Sequence, residues 1–111
     1  MTTFDEREKA YEALLAHDEE LRFKTFVRRN KLLGIWAAEK LGKSGAAAET
    51  YAAAVIKVHL EGNGDESVFE KLRADFDAAR VSLSDHRIRR EMSELFARAS
   101  REVVSGAGAA H

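Results

Sequence analysis

Apolar residues recur at three- and four-residue steps along most of this chain, and this spacing restricts the fold more than any other feature of the sequence. Each segment therefore has one wide apolar face, which is typical of a helix packed in a bundle. The clearest example precedes Gly42, a residue type that commonly ends helices, and consists of Leu32, Leu33, Ile35, Trp36, Ala37 and Leu41. Because the chain also lacks proline and shows no alternating strand pattern, the sequence predicts an all-α fold.

Glycine clusters and capping residues divide the chain into four predicted helices. The clusters lie at residues 42–45 and 62–64, and Ser84 is the predicted N-cap of the last helix. The predicted helices span approximately residues 4–41, 45–61, 65–79 and 84–104. A chain of 111 residues suits one domain. We therefore predict a four-helix bundle with an N-terminal extension, followed by a disordered tail over residues 105–111.

The first predicted helix carries charges in the middle of its apolar face. Asp18, Arg22 and Arg29 fall there in a helical projection. Burying an unpaired charge costs several kcal/mol, so we expect the bundle to occupy residues 20–104 and residues 1–19 to form a separate amphipathic segment. So short a helix is marginal in water on its own. We expect its apolar stripe either to dock loosely on the bundle or to stay exposed until a partner binds it.

Composition and charge exclude several classes of function. The chain has no cysteine, which excludes thiol catalysis and cysteine-based metal sites and is compatible with a reducing compartment. Its net charge of −1 does not suggest nucleic-acid binding. The acidic N-terminus is unlike a secretory signal, so we expect a soluble cytoplasmic protein. The four histidines are not spaced to form a metal site, and we expect them at the surface or near helix caps. An enzyme is the least supported class, and no required cofactor is expected.

Two basic clusters leave two interpretations open. They lie on different predicted helices, and their candidate anion-binding residues are Arg28, Arg29, Asn30 and Lys31 in the first cluster and Arg89 and Arg90 in the second. Such clusters usually form solvated faces. They could instead converge on an anion such as a nucleotide phosphate, to which guanidinium groups make bidentate contacts.

Four groups of residues together carry a resemblance to a known family. They are Thr3-Phe4-Asp5-Glu6-Arg7, His17-Asp18-Glu19-Glu20, Arg28-Arg29-Asn30-Lys31-Leu32-Leu33-Gly34-Ile35-Trp36-Ala37-Ala38 and Ile88-Arg89-Arg90. In these residues the chain resembles the zeta subunit of the alpha-proteobacterial F-type ATP synthase, a family of small ATPase inhibitor proteins. The resemblance extends from Thr3 to about Val103.

This resemblance implies a regulatory, non-catalytic four-helix bundle. Its N-terminal segment would insert into the catalytic head of the ATP synthase and block rotation in the hydrolysis direction. The protein would then act at the cytoplasmic face of the inner membrane. The resemblance also implies regulatory binding of ADP or ATP. An alternative from another class is therefore a nucleotide-sensing helical module that binds ADP or ATP through the arginine clusters.

Carried over by position, the resemblance places the inhibitory element within residues 1–19. Its candidate partner contacts are Phe4, Asp5, Arg7, Glu8, Tyr11, Glu12, Leu14, Leu15, Asp18 and Glu19. Relatives tend to have a lysine followed by an aromatic residue where this chain has Leu14-Leu15. The resemblance does not assign individual nucleotide-binding residues, for which the two basic clusters are the physical candidates.

Overall fold

Four helices account for most of the chain in the structure, a computed structural model that describes Lys9 and residues 13–106. They are α1 (Glu19–Lys40), α2 (Gly45–Glu61), α3 (Asp65–Ala78) and α4 (Asp85–Val104). One further helical turn, residues 13–16, precedes α1. No strand occurs in these described residues, and the predicted all-α fold is confirmed.

The first helix begins later than the sequence indicated. The predicted span of 4–41 is wrong as a continuous helix, because residues 17 and 18 interrupt it. Asp18 has an extended backbone, and its carboxylate accepts a hydrogen bond of 3.0 Å from the backbone N–H of Leu21. It therefore acts as an N-cap, which satisfies a free donor of α1 and starts a new helix. Residues 4–8 and 10–12 of the predicted span lie outside the described residues.

The other predicted helix ends agree with the structure to within one residue. Gly42 ends α1 with a φ of 80°, and its N–H donates to the carbonyl of Glu39 at 3.1 Å. The N–H of Lys43 donates to the carbonyl of Ala38 at 2.8 Å, which completes a Schellman motif. At the start of α4, the hydroxyl of Ser84 accepts from the N–H of Arg87 at 3.0 Å, so the predicted N-cap is confirmed. Of the predicted tail, residues 107–111 lie outside the described residues.

The four helices close a ring around one hydrophobic core. α1 packs against α2 and α4, and α3 packs against the same two helices. Each helix contributes fully buried apolar side chains, including Leu33 of α1, Val55 of α2, Phe76 of α3 and Ile88 of α4. Trp36 is partly buried and packs edge-on against the core residue Phe76, with ring centroids 5.9 Å apart. This ring arrangement places the N-terminal ends of α1 and α3 close to the middle of α4.

Within the described residues, no helix combines the length and the apolar character needed to cross a membrane.

Candidate functional site

An open groove with a volume of about 450 Å³ lies where the turn before α1 meets the bundle. It is lined by Leu15, Arg22, Phe26, Arg29, Asp65, Arg89, Met92, Ser93 and Phe96. An aromatic cluster forms part of its wall, because the ring of Phe26 lies 5.1 Å from that of Phe96 and 4.6 Å from that of His59. The groove thus combines an apolar aromatic surface with three guanidinium groups.

Arg29 is the most deeply buried of these arginines, with 1% of the residue exposed. Its guanidinium pairs with the carboxylate of Asp65 at the start of α3. Its Nε donates to the side-chain oxygen of Asn30 at 2.9 Å, and its Nη1 donates to the carbonyl of Met92 in α4 at 3.4 Å. Asn30 itself is 1% exposed and serves as an acceptor for its neighbour. Arg29 therefore ties α1 to both α3 and α4.

The two basic clusters meet only in part. Arg29 and Arg89 both line the groove, although Arg89 also pairs with Glu66 at 3.1 Å and lies 3.9 Å above the ring of Phe69. The remaining candidate cations do not line this groove, and each is near a carboxylate of its own. The pairs are Arg28 with Glu102, Lys31 with Glu49 and Arg90 with Glu94, at 2.8, 4.0 and 3.6 Å between nitrogen and oxygen.

The candidate partner contacts at the end of the N-terminal segment differ in their exposure. Leu15 is only 3% exposed and lines the groove, whereas its neighbour Leu14 is 42% exposed. Asp18 is engaged as the N-cap of α1, and Glu19 is exposed in the first turn of that helix. The other candidates lie outside the described residues; they are Phe4, Asp5, Arg7, Glu8, Tyr11 and Glu12.

Several groove residues were not among the candidates drawn from the sequence. Arg22 and Phe26 lie one and two turns into α1, with guanidinium carbons of Arg22 and Arg29 at 5.3 and 5.5 Å from the Phe26 ring centroid. The signal that marks them is the helical spacing of Arg22, Phe26 and Arg29 on one face. Ser93 and Phe96 are three residues apart on α4, as Phe26 and Arg29 are on α1, and they likewise share one face of their helix. Asp65, the first residue of α3, is another groove residue that was not among the candidates.

His59 lies in the last turn of α2, a cap-region position, but its side chain is only 13% exposed. In the part of the chain that the structure describes, its buried Nδ1 has no hydrogen-bond partner and lies 3.7 Å from the carboxylate of Asp65. Burial and the charges of Arg29 and Arg22 lower the pKa of His59, against the opposing effect of Asp65. The ring is therefore neutral in the folded protein near pH 7.

The lowered pKa of His59 makes the fold sensitive to acid. The unfolded chain takes up this proton near its ordinary pKa of about 6.5, before the folded protein does. The contribution of His59 to stability is therefore most favourable above that pH. It declines as the pH falls from there towards the lower pKa of the folded state.

The residues of the groove suit the binding of an anion that carries a flat apolar group. Arginine side chains supply charge-assisted hydrogen bonds, and the Phe26 and Phe96 rings supply stacking surface. Among the described residues, no group of three or more histidines or carboxylates is placed to hold a metal ion. These features define a small all-helical protein with a groove of arginine and aromatic side chains beside its N-terminal segment.

The family model for ATPase inhibitor subunit zeta matches residues 1–102, and the chain therefore belongs to that family. The resemblance seen in the sequence is thereby confirmed. The family is one of inhibitor subunits, which are regulatory proteins. A comparison with individually curated proteins gave no match.

Proposed function

We propose that this protein inhibits ATP hydrolysis by the F-type ATP synthase through insertion of its N-terminal segment into the catalytic head. The inserted segment blocks rotation in the hydrolysis direction. Membership of the ATPase inhibitor family supports the inhibitory role, and the family match includes residues 1–19. The observation that carries the mechanism is the helix break at residues 17 and 18, which separates the last helical turn of the segment from α1.

The break allows the segment to move without unravelling the bundle. Asp18 caps α1, so the first turn of α1 does not depend on the preceding residues for its hydrogen bonds. The segment then has its own apolar side chains to offer, of which Leu14 is already 42% exposed. Burial of each such side chain against a partner contributes about 1.5–3 kcal/mol, which offsets the cost of ordering the segment.

Deletion of residues 2–16 tests this mechanism. The truncated protein keeps the Asp18 cap and all four helices, so it should remain folded by circular dichroism. It should no longer inhibit ATP hydrolysis by the cognate ATP synthase, because it lacks the inserting segment. A matched deletion of residues 107–111, which lie outside the family match, should inhibit like the full chain. A folded truncated protein that inhibits as strongly as the intact one would rule out insertion of the segment.

A second candidate function, nucleotide sensing, is favoured by the composition of the groove. Arg22, Arg29 and Arg89 line the groove together with the Phe26 and Phe96 rings, a composition that suits the phosphates and the base of ADP or ATP. Only Arg29 and Arg89 of the six candidates from the basic clusters belong to this groove. In this function, the inhibitor would respond to the adenine nucleotides that its target enzyme interconverts.

Titration of the full chain with ADP, followed by amide chemical shifts, tests the second candidate. The largest shifts should fall on Phe26, Ser93 and Phe96 of the groove. Arg89→Ala should weaken binding about tenfold, the value of one charge-assisted hydrogen bond. Arg90→Ala is the matched control, since Arg90 does not line the groove, and it should leave the affinity unchanged. Equal effects of the two variants, or shifts confined to residues far from the groove, would contradict this site.

A further inference from the structure

One leucine fixes the end of the N-terminal segment to the bundle. Residues 13–16 read Ala-Leu-Leu-Ala and form one helical turn. Leu15 is 3% exposed, whereas the other three residues of the turn are exposed to solvent. Since none of these four side chains carries a polar group, they hold on to the bundle only through apolar contact. Among them, only Leu15 is buried.

The groove provides a preformed apolar surface against which Leu15 packs. Phe26 of α1 and Met92 and Phe96 of α4 line it together with Leu15, and the two phenyl rings already pack against each other at 5.1 Å. Only His17 and Asp18 connect the turn to α1. Their N–H groups donate to the carbonyls of Leu14 and Leu15 at 3.2 and 3.3 Å, which keeps the connection compact. Leu15 is thereby positioned above the groove with little additional loss of chain entropy.

We propose that this groove is an intramolecular docking site for Leu15, which the segment must leave before it can bind the ATP synthase head. The inference rests on the proposed function, in which the segment is the inserting element. One leucine side chain cannot be buried against the bundle and against a partner at the same time. The segment therefore has two alternative partners, and docking in the groove opposes binding to the head.

The expected size of this effect follows from the burial of one side chain. Burial of a leucine favours the docked state by a factor on the order of 10 to 100, so the released segment makes up on the order of 1–10% of the free protein. Binding that requires the released state is slowed by the same factor. Removal of the docking site should therefore speed the onset of inhibition while the segment itself stays unchanged.

Ser93→Trp removes the docking site without altering the segment. Ser93 is an exposed residue of α4 that lines the same groove as Leu15, so an indole at this position competes with Leu15 for the apolar surface of the groove. Glu94→Trp is the matched control. Glu94 is the exposed neighbour of Ser93 on the same helix but does not line the groove, so the variant introduces the same indole outside the docking site. Two quantities are measured on the full chain: hydrogen exchange of residues 13–16 and the rate at which ATPase inhibition develops.

Ser93→Trp should raise hydrogen exchange of residues 13–16 about tenfold or more and should speed the onset of inhibition by a similar factor. Glu94→Trp should change neither. Leu15→Ala provides a second means of release and should also raise exchange. If neither Ser93→Trp nor Leu15→Ala raises exchange, Leu15 does not hold the segment and the proposal is wrong. If Ser93→Trp raises exchange but the onset of inhibition does not quicken, docking is no barrier and the proposal is equally wrong. If only Leu15→Ala raises exchange, Leu15 is not held by this groove and the proposal is again wrong.

These outcomes are distinct from a failure of the proposed function. Hydrogen exchange reports docking of the segment whether or not the segment inhibits. Deletion of residues 2–16 reports the inhibitory role whether or not Leu15 is docked. A docked segment whose deletion leaves inhibition intact would therefore refute insertion, while a segment that inhibits without docking would refute only the docking site.

Discussion

Arg29→Met should lower the free energy of unfolding by about 2–4 kcal/mol. Methionine keeps much of the volume of the side chain but removes every donor of the guanidinium. The buried side-chain oxygen of Asn30 then loses its partner, and the carboxylate of Asp65 loses its countercharge. Because Asp65 is half exposed and water can solvate it, the loss should stay below that of a fully buried charge. Urea unfolding followed by circular dichroism measures the change.

Arg28→Met is the matched control for this prediction. Arg28 is the preceding residue of the same helix, and its pair with Glu102 leaves both side chains about a quarter exposed, at 28% and 24%. Ion pairs that remain in contact with water contribute about 0–1 kcal/mol, so this variant should lose at most about 1 kcal/mol. Equal losses in the two variants would show that the buried contacts of Arg29 contribute no more to stability than a surface pair.

Two helix boundaries were predictable because a single residue in the sequence marks each of them. Gly42 adopts a left-handed φ and Ser84 bonds the next turn, so both act through residues close in the chain. Asp18 has equally local chemistry, since it bonds the N–H of Leu21. Its signal competed with the strong helical propensity of the residues on both sides, and the predicted helix therefore ran through it.

The charges on the apolar face of α1 show what sequence spacing cannot reveal. Arg22 and Arg29 were reasons to end the buried stripe, yet Arg29 lies in the core with partners from three helices. Two of those partners, Asp65 and the carbonyl of Met92, are 36 and 63 residues away in the chain. A pairing at such separation depends on the packing of the bundle, which no local pattern encodes.

The candidate site was predictable in outline but not in composition. Adjacent basic residues on a helix point in different directions, so Arg28 and Lys31 pair with α4 and α2 while Arg29 enters the groove. For the N-terminal segment, docking on the bundle and waiting for a partner were both open. The burial of Leu15 beside the exposed Leu14 indicates that the two alternatives are combined in one helical turn. The role of the segment in inhibition stays a prediction.

The close approach of α1 and α2 depends on a residue with no side chain. Gly34 in the middle of α1 is buried, and a Cβ atom added to it would lie 2.5 Å from the backbone α-carbon and 2.9 Å from the Cβ of Ala52. The first of these atoms belongs to the backbone of α2, so a change of rotamer cannot relieve the clash. The helices would have to move apart, and the core between them would lose packing.

Gly34→Ala should therefore lower the free energy of unfolding by about 1–3 kcal/mol, the usual cost of overpacking. In an exposed helix the same substitution would stabilise by up to about 1 kcal/mol, so the sign of the change reports the packing of the two helices.

Lys31→Ala, at an exposed position of the same helix, is the control and should change stability by about 0.5 kcal/mol or less. Adding Ala52→Gly to Gly34→Ala removes the clash with the methyl group of Ala52 but leaves the clash with its backbone, so it should restore only part of the loss. A neutral or stabilising effect of Gly34→Ala in urea unfolding would show that α1 and α2 separate without cost, and that glycine is not required for their packing.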